Sequence, residues 1–194
     1  KRVYLIKPST IYPTYAFLDT PLKEDGVNIN EVIEYLEASE SHSVLSVVML
    51  RRPADQVKLQ EKYLLEIVYL IAKKNSDVKV IVIGSSKDDV KRVLNISEKE
   101  IPKNIIFTGY ISLDKTLMRL YRLADIVVIP LFFRSLSNRL LEALYYGKPI
   151  ITNYTAKLLH TKLEPYKHVI ISDNYKEYPE LVRELLKHDS LLEE

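Results

Sequence analysis

The sequence predicts an α/β domain of Rossmann-like type: three layers, α/β/α, with helices on both faces of a mostly parallel sheet. Three observations carry this expectation. Short apolar, β-branched runs recur at Ser43–Leu50 (SVLSVVML), Val78–Ile83 and Ile126–Ile129. They lack the alternation of a half-exposed strand and so suit strands buried on both faces. Segments with apolar residues at helical spacing separate these runs, so strands and helices alternate along the chain. Gly84 and Gly109 follow predicted strands and Gly147 follows a predicted helix, where turns are required.

Taken in order, Val3–Ile6 reads as a short first strand, feeding a loop punctuated by Pro8, Pro13 and Pro21 and closed by Asp25-Gly26. The aromatic residues there, Tyr12, Tyr15 and Phe17, suit the cover of a sheet edge or packing on another domain. A helix is expected over Asn30–Ala38, with Val32, Ile33 and Leu36 on one face and Asn30 as its cap. The Ser43–Leu50 strand follows, central by its apolarity, with Arg51-Arg52 at its carboxyl end before Pro53. A long helix runs from about Gln56 to Lys73, then the Val78–Ile83 strand ends at Gly84-Ser85-Ser86. Lys87–Leu94 is a short charged helix. Lys103–Thr108 is a strand ending at Gly109, and Ser112-Leu113-Asp114 opens the helix that leads to Arg122.

The stretch from Arg122 to Ile151 organises the rest. Ile126–Ile129 is a buried strand stopped by Pro130; a serine-bearing loop leads to a helix from about Ser137 to Tyr146. Gly147 occupies the C′ position, Pro149 prevents continuation, and Ile150-Ile151 start another strand. His168–Ile171 is a late strand and Tyr178–Leu186 a terminal helix. Residues 1–29 are expected to be linker and first strand, and residues 30–194 the core of a single domain.

Composition narrows the function classes. The chain has 194 residues, 47% of them apolar, enough for one real core. Its 28 basic residues nearly match its 26 acidic ones, so the net charge of +2 gives no general pull toward nucleic acid or membrane. No cysteine is present, which removes disulfides, thiolate catalysis and cysteine-held metal. No apolar run approaches the ~18 residues of a spanning helix. The opening Lys1–Pro8 is too short and too charged for a signal peptide, so a cytoplasmic location is expected. Lacking an initial methionine, the chain reads as an excised or processed piece. His42, His160, His168 and His188 are scattered without metal-ligand spacing on any predicted helix. No Gly-rich phosphate fingerprint follows a strand, which excludes dehydrogenase and P-loop readings. The 14 tyrosines, mostly interleaved with apolar residues, suit core edges better than base stacking.

A helix that opens over the carboxyl end of a parallel strand presents free amides where ligands of open α/β sheets bind, and favours phosphate there. Ser137 and Asn138 stand at that helix start, as caps, as phosphate ligands or as both. Glu142 lies one turn after Asn138, on the same face. Taken alone it reads more readily as an ordinary helix acid, since Glu is a good helix former.

In this register the chain resembles group 1 (family 4-like) retaining glycosyltransferases of the GT-B fold. The residues that carry the resemblance are Leu123-Ala124-Asp125, Ile126–Pro130, Ser137-Asn138, Leu140-Leu141-Glu142-Ala143 and Gly147-Lys148-Pro149. Val80–Gly84, Asn104–Ile111 and Leu120–Asp125 extend it, so that roughly Ser46 to Ser172 follows the family's C-terminal, nucleotide-sugar-binding domain. The resemblance implies that Glu142 holds the ribose hydroxyls and that the amides near Ser137 and Asn138 hold the diphosphate. It places Arg51 or Arg52 on the same diphosphate. Lys58 joins them if the loop is longer than usual, because the family's lysine position here is Gln56. Backbone atoms of Gly109, Tyr110 and Ile111 would meet the base.

The family's first glutamate, which meets donor-sugar hydroxyls, falls on Arg134. Implied too are transfer with retention, no metal or other cofactor, and an acceptor at the membrane surface or among soluble glycans. The N-terminal, acceptor-binding half of the fold lies outside these residues, so the chain alone is expected to bind nucleotide sugar without transferring it. No nucleic-acid partner is implied. The alternative, which Arg134 supports, is a non-catalytic, degenerate transferase domain kept as a nucleotide- or partner-binding module.

Overall fold

The structure is a computed structural model that describes residues 29–39, 42–47, 59–109, 111, 115–131, 138–153 and 169–187. The expected first strand Val3–Ile6 and the proline-rich loop lie outside the described residues. Among the described residues, six strands form one sheet: β1 Ser43–Val47, β2 Lys79–Ile83, β3 Ile105–Gly109, β4 Ile126–Val128, β5 Ile150–Thr152 and β6 Ile170–Ile171. Their order is β3-β2-β1-β4-β5-β6, and every pairing is parallel. The sheet expected to be mostly parallel is, among the described residues, wholly so.

Side-chain alternation explains why these strands are mostly apolar, with polar residues such as Ser43, Thr108 and Thr152 near their ends. Val44, Val80, Val82, Ile126, Val128 and Ile151 face one layer of core, while Leu45, Ile81, Ile83, Val127 and Ile150 face the other. Both faces are covered, so both parities are mainly apolar. The first layer is closed by α2 Leu59–Lys74, α3 Lys87–Leu94 and α6 Tyr178–Lys187, which contribute Leu64, Leu65, Ile71, Val90, Val182 and Leu185. The second is closed by α1 Ile29–Glu37, α4 Lys115–Leu123 and α5 Asn138–Tyr145, through Ile33, Leu36, Leu117, Leu120, Leu140 and Ala143. None of the described helices is long and apolar enough to cross a membrane.

Local chemistry sets most boundaries. α3 has the expected bounds because both ends are specified: Ser86 and Asp89 form a capping box, and Asn95 ends the helix in the left-handed conformation. α1 begins at Ile29, so Asn30 lies within its first turn and is not its cap. α2 runs to Lys74 and is stopped by Asn75, whose amide donates to the carbonyls of Ile71 and Pro179 at 3.1 Å each. Asn104 joins the same corner, donating to the carbonyls of Ala72, Asn75 and Val78 at 2.8–3.0 Å. These two amides tie the end of α2 to the starts of β2, β3 and α6. Two single 3-10 turns, Glu98–Glu100 and Tyr175–Glu177, were not expected from periodicity; each is too short to have any.

Candidate functional site

The strand order reverses direction between β1 and β4, which pair directly through Val44 with Ile126 and Leu45 with Val127. In an open parallel sheet the crevice beyond the carboxyl ends of such a pair is the ligand position, because the connections leaving the two strands diverge to opposite faces. Two segments therefore start side by side at this point. One follows Val47 and carries Arg51, Arg52 and Lys58; the other follows Val128 and carries Arg134 and Ser137. The sequence-predicted residues on both segments lie outside the described residues, as does Tyr110. Asn138 is described through its place as the first residue of α5.

What surrounds the crevice is held by specific hydrogen bonds. At the carboxyl rim, Asn153 bridges β4 and β5. It accepts from the Leu131 amide at 2.9 Å and donates to the Leu131 carbonyl at 2.8 Å. The Thr152 hydroxyl donates to the Ile129 carbonyl at 2.7 Å. Together they fix the path of Ile129-Pro130-Leu131 as it leaves the sheet. At the opposite edge the Asp125 carboxylate accepts from the backbone amide of Ser43 at 2.6 Å, and the Ser43 hydroxyl donates to the Leu123 carbonyl at 3.1 Å. This clasp sets the register of β1 against β4. Lys148 donates to the Arg122 carbonyl at 2.7 Å; burial pushes its ammonium pKa down, opposed by Asp125. Asp125 and Lys148 thus serve to hold the unit together, whereas the sequence assigned them only a place in the family register. Asn153 had no sequence signal, since one Asn after a strand reads as a turn residue.

β3 forms the far edge, with β2 and β1 between it and β4; three strand spacings, about 14 Å, separate the two. Gly84 and Gly109 both adopt positive φ, +84° and +64°, and the Gly84 amide donates to the Gly109 carbonyl at 2.6 Å. Glycine is required at each because a side chain is strained in that conformation. Ile111 is half-buried against the layer of α1, α4 and α5.

Glu142 lies in the body of α5, half-buried. Burial pushes its carboxyl pKa above the ordinary value, while the Tyr121 hydroxyl on α4 and the Arg139 guanidinium on its own helix pull it back down. The desolvation effect is the largest of the three. A carboxyl group whose folded-state pKa is raised stabilises the fold below its unfolded pKa, and that contribution is lost as pH rises through the folded value. At neutral pH the Glu142 charge therefore works against folding. Glu142→Gln should raise the melting temperature at pH 7 and leave it unchanged below the ordinary carboxylate range, as thermal unfolding at the two pH values would show. An equal or lower melting temperature at pH 7 would mean that the carboxylate is fully compensated where it sits. Among the described residues, no three His, Cys, Asp or Glu side chains gather closely enough to hold a metal.

An all-parallel sheet in this order, with helices on both faces and a crevice at the reversal, defines a doubly wound, Rossmann-like α/β domain. Residues 45–188 match the family model described as Glycosyl transferases group 1, and the chain belongs to that family. A search of curated proteins found no match. Among solved structures, the C-terminal domain of LpcC, a glycosyl transferase group 1 family protein from Francisella tularensis, superposes with a TM-score of 0.59 at 17% identity, covering 85% of each chain. Anabaena HepE, crystallised with UDP and glucose, gives 0.60 at 15% identity over 84% of this chain and 44% of its own. TarM of S. aureus, crystallised with UDP, gives 0.56 at 19% identity over 78% of this chain and 30% of its own. The chain thus spans less than half of HepE and of TarM, and most of the LpcC domain. Its fold is one half of the GT-B architecture.

Proposed function

We propose that this chain is the donor-binding half of a GT-B glycosyltransferase, which takes a nucleotide-diphosphate sugar and passes the sugar, with retention, to an acceptor bound by the other half. One observation carries the reading: β1 and β4 adjoin at the reversal of strand order, so the arginine-bearing segment after β1 and the helix bearing Glu142 after β4 arise at one crevice. Arg51 or Arg52, with Lys58, would face the diphosphate and stabilise the charge that builds on it as the sugar leaves. Free amides at the start of α5, near Ser137 and Asn138, would add to this. Glu142 would accept hydrogen bonds from the ribose diol, and backbone atoms from Gly109 to Ile111 would meet the base. The reaction in this reading needs no metal. The acceptor lies at the membrane surface or among soluble glycans, met on the cytoplasmic side.

Calorimetry with uridine, guanosine, adenosine and thymidine diphosphates tests the reading, with uridine first because HepE and TarM were crystallised with UDP. At least one should bind more tightly than ~1 mM, about −4 kcal/mol. The 194-residue chain alone should bind without transferring sugar. Failure of every nucleotide to bind would overturn the proposal. Arg134, standing where the family has a glutamate, favours a second reading as a non-catalytic binding module. That reading predicts nucleotide binding and no transfer even when an acceptor half is joined to the chain.

A further inference from the structure

β2 and β3 pair in step almost to their carboxyl ends, with Val80 opposite Ile105, Ile81 opposite Ile106 and Val82 opposite Phe107. Ile83 then stands opposite Gly109, so Thr108 is an extra residue in the ladder, a β-bulge. One inserted residue exchanges the two faces of a strand, and bulges gather where a chain must be re-aimed. The exchange is visible in the packing. Ile105 and Phe107 lie in the layer of α2, α3 and α6, and alternation carried onward would return Ile111 there. Ile111 packs instead in the layer of α1, α4 and α5, on the side of the helix that bears Glu142.

The bulge is held from both strands. The Gly109 amide donates to the Ser85 carbonyl at 3.3 Å, and the Gly109 carbonyl accepts from the Gly84 amide at 2.6 Å. The buried Thr108 hydroxyl shares its proton between that same carbonyl, at 3.1 Å, and the carbonyl of Val82, at 3.4 Å. A peptide unit has one N–H to give and two lone pairs on its carbonyl, so the polar groups of Gly109 are fully engaged. Gly109 keeps no hydrogen bond for a ligand, while its φ of +64° sets where the chain goes next. We propose that Thr108 and Gly109 are positioning residues for base recognition: they turn the chain leaving β3 onto the side of α5, and the base is met beyond Gly109. The proposal rests on the reading of the Gly109 to Ile111 segment as the one that meets the base, and narrows it. A backbone fixed before the ligand arrives has less freedom to lose on binding.

Space is open around a Cβ built at Gly109, so Gly109→Ala tests the backbone angle rather than a clash. The free variant should relax by leaving that angle, and binding must restore it. Calorimetry on the 194-residue chain with uridine, guanosine, adenosine and thymidine diphosphates reads the effect. Affinity for the preferred base should fall roughly 5- to 30-fold, the strain of a side chain in the left-handed region. The least preferred base should lose little, so the preference among bases narrows. Thr108→Val keeps the branched shape and deletes the hydroxyl. It should narrow the preference roughly two- to tenfold, the range for one hydrogen bond, and Thr108→Ser should restore it. If Gly109→Ala does not fold, Thr108→Val decides alone. Equal losses for all four nucleotides would show a general structural role and overturn the proposal. A folded variant of either kind that leaves the preference unchanged overturns it as well. A native chain that binds all four alike also overturns it, and leaves the diphosphate and ribose reading standing. If the native chain binds none, that reading falls and takes the positioning role with it.

Discussion

Glu142→Ala should weaken nucleoside diphosphate binding by about 1.5–3 kcal/mol, the range for hydrogen bonds to a charged group, or roughly 10- to 150-fold in Kd. The size follows from what the carboxylate would do: accept two hydroxyl bonds, each strengthened by its charge. The substitution should spare the fold. Alanine is the best helix former, and it relieves α5 of a half-buried charge whose desolvation raises its pKa. Native affinity should also decline as pH falls through that raised pKa, because a protonated carboxyl loses the charge that strengthens those bonds. In the alanine variant this acid decline should be absent. Calorimetry at several pH values measures both effects, and an unchanged Kd at neutral pH would remove Glu142 from the site.

Ile71→Ala should cost about 2–5 kcal/mol of stability. Ile71 is wholly buried in the last turn of α2, in the core layer shared with α6 and the sheet. Truncation there removes apolar contact and leaves a cavity between elements already pinned by Asn75 and Asn104, which limits their collapse into it. For a chain of this size each kcal/mol corresponds to about 2–4 °C in Tm, so calorimetric unfolding should show a drop of several degrees at least. Affinity for nucleotide, measured where the variant is still folded, should be unchanged, because α2 meets the sheet on the face opposite α5. A change in affinity would show that the two layers communicate.

The architecture was legible because its signals are local. Uniformly apolar strands such as Val80–Ile83 announce two covered faces, and Ser86, Asp89 and Asn95 mark both ends of α3. Helix starts were less legible: Asn30 has the chemistry of a cap, yet the helix begins one residue earlier. The site divides along the same line. Glu142 and Gly109 stand in recognisable order along the chain, so sequence could nominate them. That Asn153 fixes Leu131 and that Asp125 clasps Ser43 are matters of packing between segments distant in sequence, and no periodicity encodes them. Tyr121 in particular reads as one more apolar position of α4. Its ring gains a partner only once Tyr146, just past α5, stacks on it.

The partners in the Ser43–Asp125 clasp are 82 positions apart. A growing polypeptide emerges from its N-terminal end, so β1 and β2 would be available long before β4. Until then β1, one of the two central strands of the finished sheet, would stand as a raw outer edge of the kind that invites foreign strands. Completion of the crevice and protection of that edge are therefore one event, the docking of β4 on β1.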